Sequence, residues 1–589
     1  MRVQERWAIT TRGRQTGPHY GRIGPAVAFL TCLTLGASAQ VARHAASEQP
    51  GLVTLSIVGT SDLHGEAFPR NGRGGLPLFA GYVNNLRAMR SADGGAVLLI
   101  DSGDTFQGNI ESNLSEGAVI VDAFNALGYT AQAVGNHDFD YGAVDSPMAR
   151  QLPGDLRGAL KARAAQARHP FLAANLLDAT TGRPVEWPDV RRSVIVDAAG
   201  IKVGIVGVMT IDGLRSTLAA NVQGLRLAPL EPTVSAEAAK LRADGAQVVI
   251  VAAHAGGRCD RFDEPTDLSS CDNESEIFQL ARSLSDGLVD VIAAGHTHAG
   301  LGHQVDGIGI IQPFSRGQSF GRVDVVVDRA TKKVTRLRLF EPRLVCGRQH
   351  PTGGCAEGDS GAAVEYEGRP VTPDPKIVAA MEPALRRVHE LQAAPIGVAL
   401  DTPIRRSDDG RSPLGDLFAD ALRAAVPGAD IAAINNAARL WADLPSGPLT
   451  LGRLYDLFPF DNRVVQVSMS GADVSRWLAN EIRQGRRSSV GISGVSLTIQ
   501  CLADGVHVDL LRGTERIPDD ARLIAVTIGG PTLNGNLASP DFLGSVGPTE
   551  NSPVVREVVE DWFRRLGKLP ADQRRRLLTA RPAVDCPRF

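Results

Sequence analysis

Three features of the sequence predict an α/β layered fold. Short runs rich in Val, Ile and Leu recur at Leu52–Val58, Val97–Ile100, Val203–Val208, Val248–Ala253 and Val289–Ala294. Longer segments with helical spacing lie between them, such as Leu78–Met89 and Val119–Leu127. Turn residues bound both kinds of segment. Apolar runs without alternation, separated by helices, are expected of strands in a sheet that is covered on both faces.

Ahead of the first strand, Arg2, Arg6, Arg12, Arg14 and Arg22 precede an apolar stretch, Pro25–Leu35, that ends in Ala37-Ser38-Ala39. A basic start, an apolar middle and a small-residue site predict a signal peptide over 1–39, and with it an exported protein, periplasmic or extracellular. Cys32 falls inside the discarded segment. Removing five Arg and one Glu moves the formal net charge from −3 to about −7. No block of Lys and Arg is present to track a nucleic-acid backbone, so a polynucleotide partner is not expected. No run of ~18 apolar residues predicts a stable membrane span.

The 589 residues, 43% hydrophobic and 22% charged, suit a globular protein of several domains. The strand–helix alternation occupies 51–345. Gly- and Pro-rich sequence from Gly347 to Pro375 interrupts it, and the helical spacing of Lys376–Leu391, closed by Pro395, follows. Residues 346–395 therefore read as a linker and connector helix. The remainder, 396–589, reads as a second domain. There Arg406–Val426 looks like a loop entering a helix, Asp461–Trp477 a strand and helix, and Ile524–Ile528 a buried strand.

Six further cysteines fall as Cys259/Cys271, Cys346/Cys355 and Cys501/Cys586. An even count in an exported chain predicts disulfides, and nearest-neighbour pairing is the expectation among the ~15 pairings possible.

Five islands of Asp, Asn and His stand at the ends of apolar runs: Asp62-x-His64, Asp104, Asn136-His137-Asp138, His254 and His296-x-His298. Loops at the carboxyl ends of strands are where α/β sheets gather ligands. In extended chain, side chains two apart point the same way, so Asp62 and His64 should grip one ion together, and His296 and His298 should repeat the device. Asp104, behind Gly103, suits a carboxylate shared by two ions, whereas Asp101 suits the end of the strand. Asn136 offers a neutral amide oxygen. His137 is left for proton work, with Asp138 to orient its ring. Seven metal ligands and a spare histidine are enough for two divalent ions and a proton-handling group, the equipment for splitting phosphate esters with activated water.

The constellation resembles the calcineurin-like metallophosphoesterases, and with its second domain it is similar to the secreted bacterial 5′-nucleotidase family. The likeness rests on Ser61–Gly65, Asp101–Gly108, Gly135–Gly142 and Gly295–His298, and continues through Pro413-Leu414-Gly415-Asp416 and Leu457–Asn462. It implies a four-layer metallophosphoesterase sandwich, joined by a helical connector to an α+β substrate-binding domain. It implies that Asp62, His64, Asp104 and His298 hold one ion, and that Asp104, Asn136, His254 and His296 hold the other. The ions would be zinc or manganese, or else iron. His137 and Asp138 would form the catalytic pair. The substrate would be a nucleotide, its phosphate gripped by Arg406, Arg411 and Arg439 and its base by Phe460.

The chain departs from the family at Ala437-Ala438, where two glycines are usual, and Arg439 comes one residue early. The family's late glycine-rich loop has only Gly529–Asn534 in its place, and Trp441 or Phe542 would have to supply a second ring. Cyclic nucleotides, nucleotide sugars and other phosphate monoesters therefore stay open as substrates. So do thiosulfate esters, and a binding protein without catalysis.

Overall fold

A computed structural model describes residues 51–144, 154–358, 360–406, 412–435, 440, 442–458, 462–483, 490–502, 505–529, 552–567 and 577–579. The segment 1–39 lies outside them. Among the described residues, no helix is long and apolar enough to cross a membrane.

The first half is built on two sheets rather than one. In the seven-stranded sheet, Leu52–Thr60 lies between its parallel neighbour Ala96–Asp101 and its antiparallel neighbour Ser319–Asp328. In the six-stranded sheet, Ile201–Met209, Val248–His254, Val291–Ala294 and Ile308–Pro313 run parallel. The continuous apolar runs serve two cores each, because successive side chains leave a strand on opposite faces. Val53, Leu55 and Ile57 meet Val203, Ile205 and Ile250 in the layer between the sheets. Val58 and Leu99 turn outward to Phe79, Val83 and Phe124, on the helices Leu76–Asp93 and Ala118–Leu127. Val206, Val208 and Val251 turn the other way, to Val234 and Phe278 on Leu230–Ala243 and Glu276–Ser283. Each sheet is covered by helices on one face and by the other sheet on the second, which gives the four layers.

The strand expected from Val289 begins at Val291. Asp290 closes its start by accepting hydrogen bonds from Val249 N and Arg242 at 2.7 Å each.

The connector helix spans Pro375–Ala393, capped by Asp374, whose side chain accepts from Lys376 N. Pro395 does not stop it; it opens the strand Pro395–Leu400. Ile377, Met381 and Leu385 of the connector belong to the helix-side core of the first half. Val388 belongs to a different core with Phe418, Leu454 and Phe458. That second core is reached from the other direction by Ile110 and Leu114, in and just after the short helix Ile110–Asn113.

Beyond the connector, Arg463–Ser470, Arg522–Gly529, Ile431–Asn435 and Val490–Ser493 form a four-stranded sheet in that order. A helix, Pro413–Ala425, lies within the Arg406–Val426 segment as expected, with Ser412 accepting from Gly415 N. Asp416 ties the helix to the sheet by accepting from Ile492 N at 2.8 Å. Disulfides join Cys259 to Cys271 and Cys346 to Cys355. The Cys501 side chain and Cys586 lie outside the described residues.

Candidate metal centre

Strand ends from both sheets deliver the five islands to one place. The backbone there is unusual: Asp62 (φ 49°), His64 (49°), Asp104 (55°), His296 (75°) and His298 (56°) all adopt the left-handed region. For residues with a Cβ this costs roughly 1–2 kcal/mol each, and such strain gathers where side chains must be aimed. The Asp62 and His64 pair is thus not aimed by extended chain, as periodicity suggested. The strand ends at Thr60, and two left-handed residues turn the side chains instead.

Two donor groups result. Asp62, His64 and His298 bring one ligand atom each within 4.8 Å of one another, and so do Asp104, His254 and His296. His296 and His298 therefore part company, each serving a different group, because both lie off the strand in left-handed backbone. In the first group, His64 Nε2 stands 3.0 Å from His298 Nε2, which is 3.4 Å from Asp62 Oδ1. In the second, His254 Nε2 stands 3.2 Å from Asp104 Oδ2, 3.2 Å from His296 Nδ1 and 3.0 Å from Asn136 Oδ1.

The hydrogen bonds behind these atoms fix what they present. His64 Nδ1 donates to the Gln107 carbonyl (2.9 Å) and His254 Nδ1 to the Ser102 carbonyl (2.8 Å), so that in the neutral ring Nε2 is the atom that offers a lone pair to an ion. Asn136 spends its amide N–H on the Ser216 carbonyl (3.2 Å), so its oxygen is the atom that faces His254. Lone pairs pointed at one another suit a shared cation. Metal–ligand bonds of ~2.0–2.2 Å in a tetrahedron put donor atoms roughly 3.3–3.6 Å apart, close to the spacing seen. The nitrogen and oxygen donors fit divalent ions.

Glycine is required where the loops cross. A Cβ on Gly135 would lie 2.3 Å from both Asp104 N and Asp104 Oδ1. One on Gly103, itself at φ 91°, would lie 2.7 Å from Gly135 N and 3.0 Å from His254 Nδ1.

His137 sits beside the groups, its ring centroid 5.5 Å from that of His64. Its orienting carboxylate is Asp140, not Asp138: His137 Nδ1 and Asp140 Oδ2 are 2.6 Å apart. Residues 137–139 form a 3₁₀ turn, in which side chains three apart eclipse and those one apart diverge. Asp138 points inward and accepts from Gly135 N (2.8 Å) and Thr105 N (2.9 Å), bracing the two ligand loops against each other. The signal for Asp140 was present as H-x-x-D, but the fold of the turn was needed to read it. Asp101 ends its strand as expected, accepting from Thr60 and Thr105 hydroxyls and Gly103 N.

Burial and charge set the protonation. Burial pushes His254 down, but the Asp104 carboxylate outweighs it and carries the pKa up to about 9. Burial opposes the Asp140 and Asp104 charges at His137 in the same way, and the result is about 10. Burial takes His64 and His296 down to about 4 each. Burial raises Asp138 to about 8, helped by Asp104, and Asp101 to about 7.

Of the residues expected to hold substrate, Arg406 is exposed. Its guanidinium donates to the Leu440 carbonyl (3.2 Å) and stands 3.4 Å from Asp443, not at the donor groups. Arg411, Arg439 and Phe460 lie outside the described residues, as do Trp441 and Phe542.

Comparison with known proteins matches residues 55–300 to the calcineurin-like phosphoesterase family and 392–527 to the 5′-nucleotidase C-terminal domain. The endonuclease YhcR of Bacillus subtilis is 25% identical over 531 residues, 86% of this chain but 39% of that protein's length. Protein UshA of Yersinia enterocolitica is 23% identical over 557 residues, covering 88% of this chain and 92% of its own. The fold is shared with a 5′-nucleotidase precursor from Thermus thermophilus, at a TM-score of 0.55 and 20% identity, over 90% of this chain and 100% of the other.

Protons stand in for the cations when metal is removed, and this gives a pH signature. The folded pKa values of His137 and His254 lie above the ordinary 6.5, so their stabilisation is complete below pH 6.5 and is lost as pH rises through about 9 to 10. Asp101 and Asp138, raised to about 7 and about 8, act in the same direction. Chelator-treated protein should therefore melt at falling temperatures from pH 6.5 to 10 by calorimetry, with a flatter profile after metal is restored. A flat or rising profile for the metal-free protein would contradict this origin.

Proposed function

We propose that this chain, which belongs to the calcineurin-like phosphoesterases that carry a 5′-nucleotidase C-terminal domain, is an exported hydrolase that releases phosphate from nucleotides with the help of two divalent ions. The observation that carries the reading is the pair of adjoining donor groups with His137 beside them, its Nδ1 held by Asp140. Export is inferred from the arginines and apolar stretch before Ala39. The nucleotide is inferred from the C-terminal domain and from relatives that bear the name 5′-nucleotidase.

Asp62, His64 and His298 would hold one ion, and Asn136, His254 and His296 the other, with Asp104 shared between them. Zinc or manganese suits these mixed donors best, with iron the next choice. When bound, such ions make water a nucleophile near neutral pH and draw charge from the phosphoryl oxygens. The chain's own part is positioning and proton transfer. His137 keeps Nδ1–H on Asp140, so its Nε2–H is free to protonate the departing alkoxide oxygen as the P–O bond breaks. Asp138 takes no proton step in this scheme; it keeps the Asp104 and Asn136 loops together.

Residues 51–345 form the metal-binding part in this reading, 346–395 the linker and connector, and 396–589 the substrate-binding part. Arg411, Arg439 and Phe460 keep the roles that the family resemblance gives them. Arg406 would have to exchange Asp443 for a substrate phosphate.

Phosphate release from AMP, ATP, UDP-glucose, 2′,3′-cyclic AMP and p-nitrophenyl phosphate, with zinc or manganese supplied, tests the reading. AMP or ATP should be turned over fastest, and activity confined to p-nitrophenyl phosphate would sink the nucleotide assignment. His137→Ala should retain metal and lose at least ~10² in kcat on AMP; undiminished kcat would remove His137 from the chemistry. Asp104→Asn should weaken both ions in a metal titration, whereas loss of one alone would disprove a shared carboxylate.

A further inference from the structure

The geometry points to Thr217 as the positioning residue that aligns His137, acting through Asp140; this rests on the role for His137 proposed above. The segment that follows the strand Ile201–Met209 runs beside the His137 turn and touches it at several points. Ser216 O accepts from the Asn136 amide at 3.2 Å. Asn221 Nδ2 donates to the Phe139 and Asp140 carbonyls at 2.7 and 3.2 Å, which fixes the backbone of the turn. Thr217 Oγ1 donates to Asp140 Oδ1 at 2.6 Å, while Asp140 Oδ2 takes His137 Nδ1.

The physical need for the hydroxyl follows from the carboxylate. The terminal torsion of an aspartate is broad and nearly two-fold, so a single hydrogen bond to histidine leaves the carboxylate plane free to swing. A second donor on the other oxygen removes that freedom. Both hydrogen bonds involve an ionised carboxylate, which makes them short and strong. Thr217 is buried at 3% exposure, and the Asp140 side chain retains 7%. Little water reaches Oδ1 to replace the hydroxyl, and a buried acceptor left without a partner is costly. Threonine also suits the task better than serine, since its branched Cβ limits the rotamers that the hydroxyl can adopt.

His137 and Asp140 belong to the loop after a strand of the first sheet, and Thr217 to the loop after a strand of the second. The hydroxyl thus carries the packing of one sheet on the other into the direction of a single imidazole. A ring that drifts should matter most for leaving groups that need a proton to depart. Alkoxides do, and p-nitrophenolate hardly does.

Two variants remove the hydroxyl, Thr217→Val and Thr217→Ala, and Thr217→Ser retains it. In the zinc-loaded, full-length protein, either removal should lower kcat on AMP about tenfold, with KM within about twofold, the scale of one hydrogen bond to a charged group. The loss on p-nitrophenyl phosphate should be smaller, and Thr217→Ser should restore most of the rate. Independently of activity, the His137 Nδ1–H proton, observed by NMR of histidine-labelled protein, should lie far downfield in the wild type and Thr217→Ser. It should move upfield in Thr217→Val and Thr217→Ala. An unmoved resonance with unchanged kcat in a folded variant overturns the inference. So does loss of bound zinc from the variants, which would place the loop's effect on Asn136. If His137→Ala retains full kcat, it is the catalytic reading that fails, and the NMR result still decides whether Thr217 orients the ring.

Discussion

In the two donor groups, nitrogen and oxygen donor atoms stand 3.0 to 3.4 Å from one another, gathered around His64 Nε2 and His254 Nε2. Such an arrangement is repulsive until a cation or a proton occupies it, and much of the molecule serves to keep it in place. Left-handed backbone at five of the ligand residues adds strain of its own. Backbone carbonyls hold the imidazoles from behind: Ser102, buried, for His254 and Gln107, half-buried, for His64. The raised pKa of His254 reflects the same tension, because Asp104 draws in a proton where no metal is bound.

The frame that sustains this strain is the double sheet. The hydrophobic cluster between its sheets is aliphatic throughout, with Ile57, Ile205, Ile250 and Ile311 fully buried, and it fixes where the strands end. Ligands come from both sheets: Asp62 and Asp104 from one, His254, His296 and His298 from the other. Neither sheet alone carries a complete group, so the centre exists only because the two sheets pack. Gly103 and Gly135 allow the loops of the first sheet to approach within the distance this requires.

The second half of the chain is tied to the same loops. Gln107, whose carbonyl holds His64, is followed by Ile110 and Leu114, which enter the core of the C-terminal part with Phe418 and Phe458. The connector helix spans both cores through Met381 on one side and Val388 on the other. A change in the packing of the C-terminal part therefore has a short path to a ligand residue, along the chain from Ile110 to Gln107 and through its hydrogen bond to His64.

The amino-acid order fixed the apolar strands such as Leu52–Thr60, Ala96–Asp101, Ile201–Met209 and Val248–His254, where the islands of Asp, Asn and His fall, and which residue types meet at their ends, but it did not mark strands such as Ser319–Asp328 and Val334–Leu344. Apolar runs such as Val248–Ala253 were legible because a parallel strand buried on both faces has no polar alternation to obscure it. The D-x-H spacing was legible both as donors and as partners, since Asp62 and His64 serve one group, whereas the H-x-H spacing was legible as donors only. Extended-chain geometry would have paired His296 with His298, and left-handed backbone sends them to different groups. Asp140 escaped notice for a related reason: adjacency favoured Asp138, and only a 3₁₀ turn places the residue three along on the same side. Likewise a run buried on both faces does not say whether its second cover is a helix or another sheet. These choices depend on loops that meet from strands far apart in sequence, and such meetings leave no local periodicity to read. Tertiary packing decides them, and only the family resemblance anticipated the separation of His296 from His298 and the second sheet.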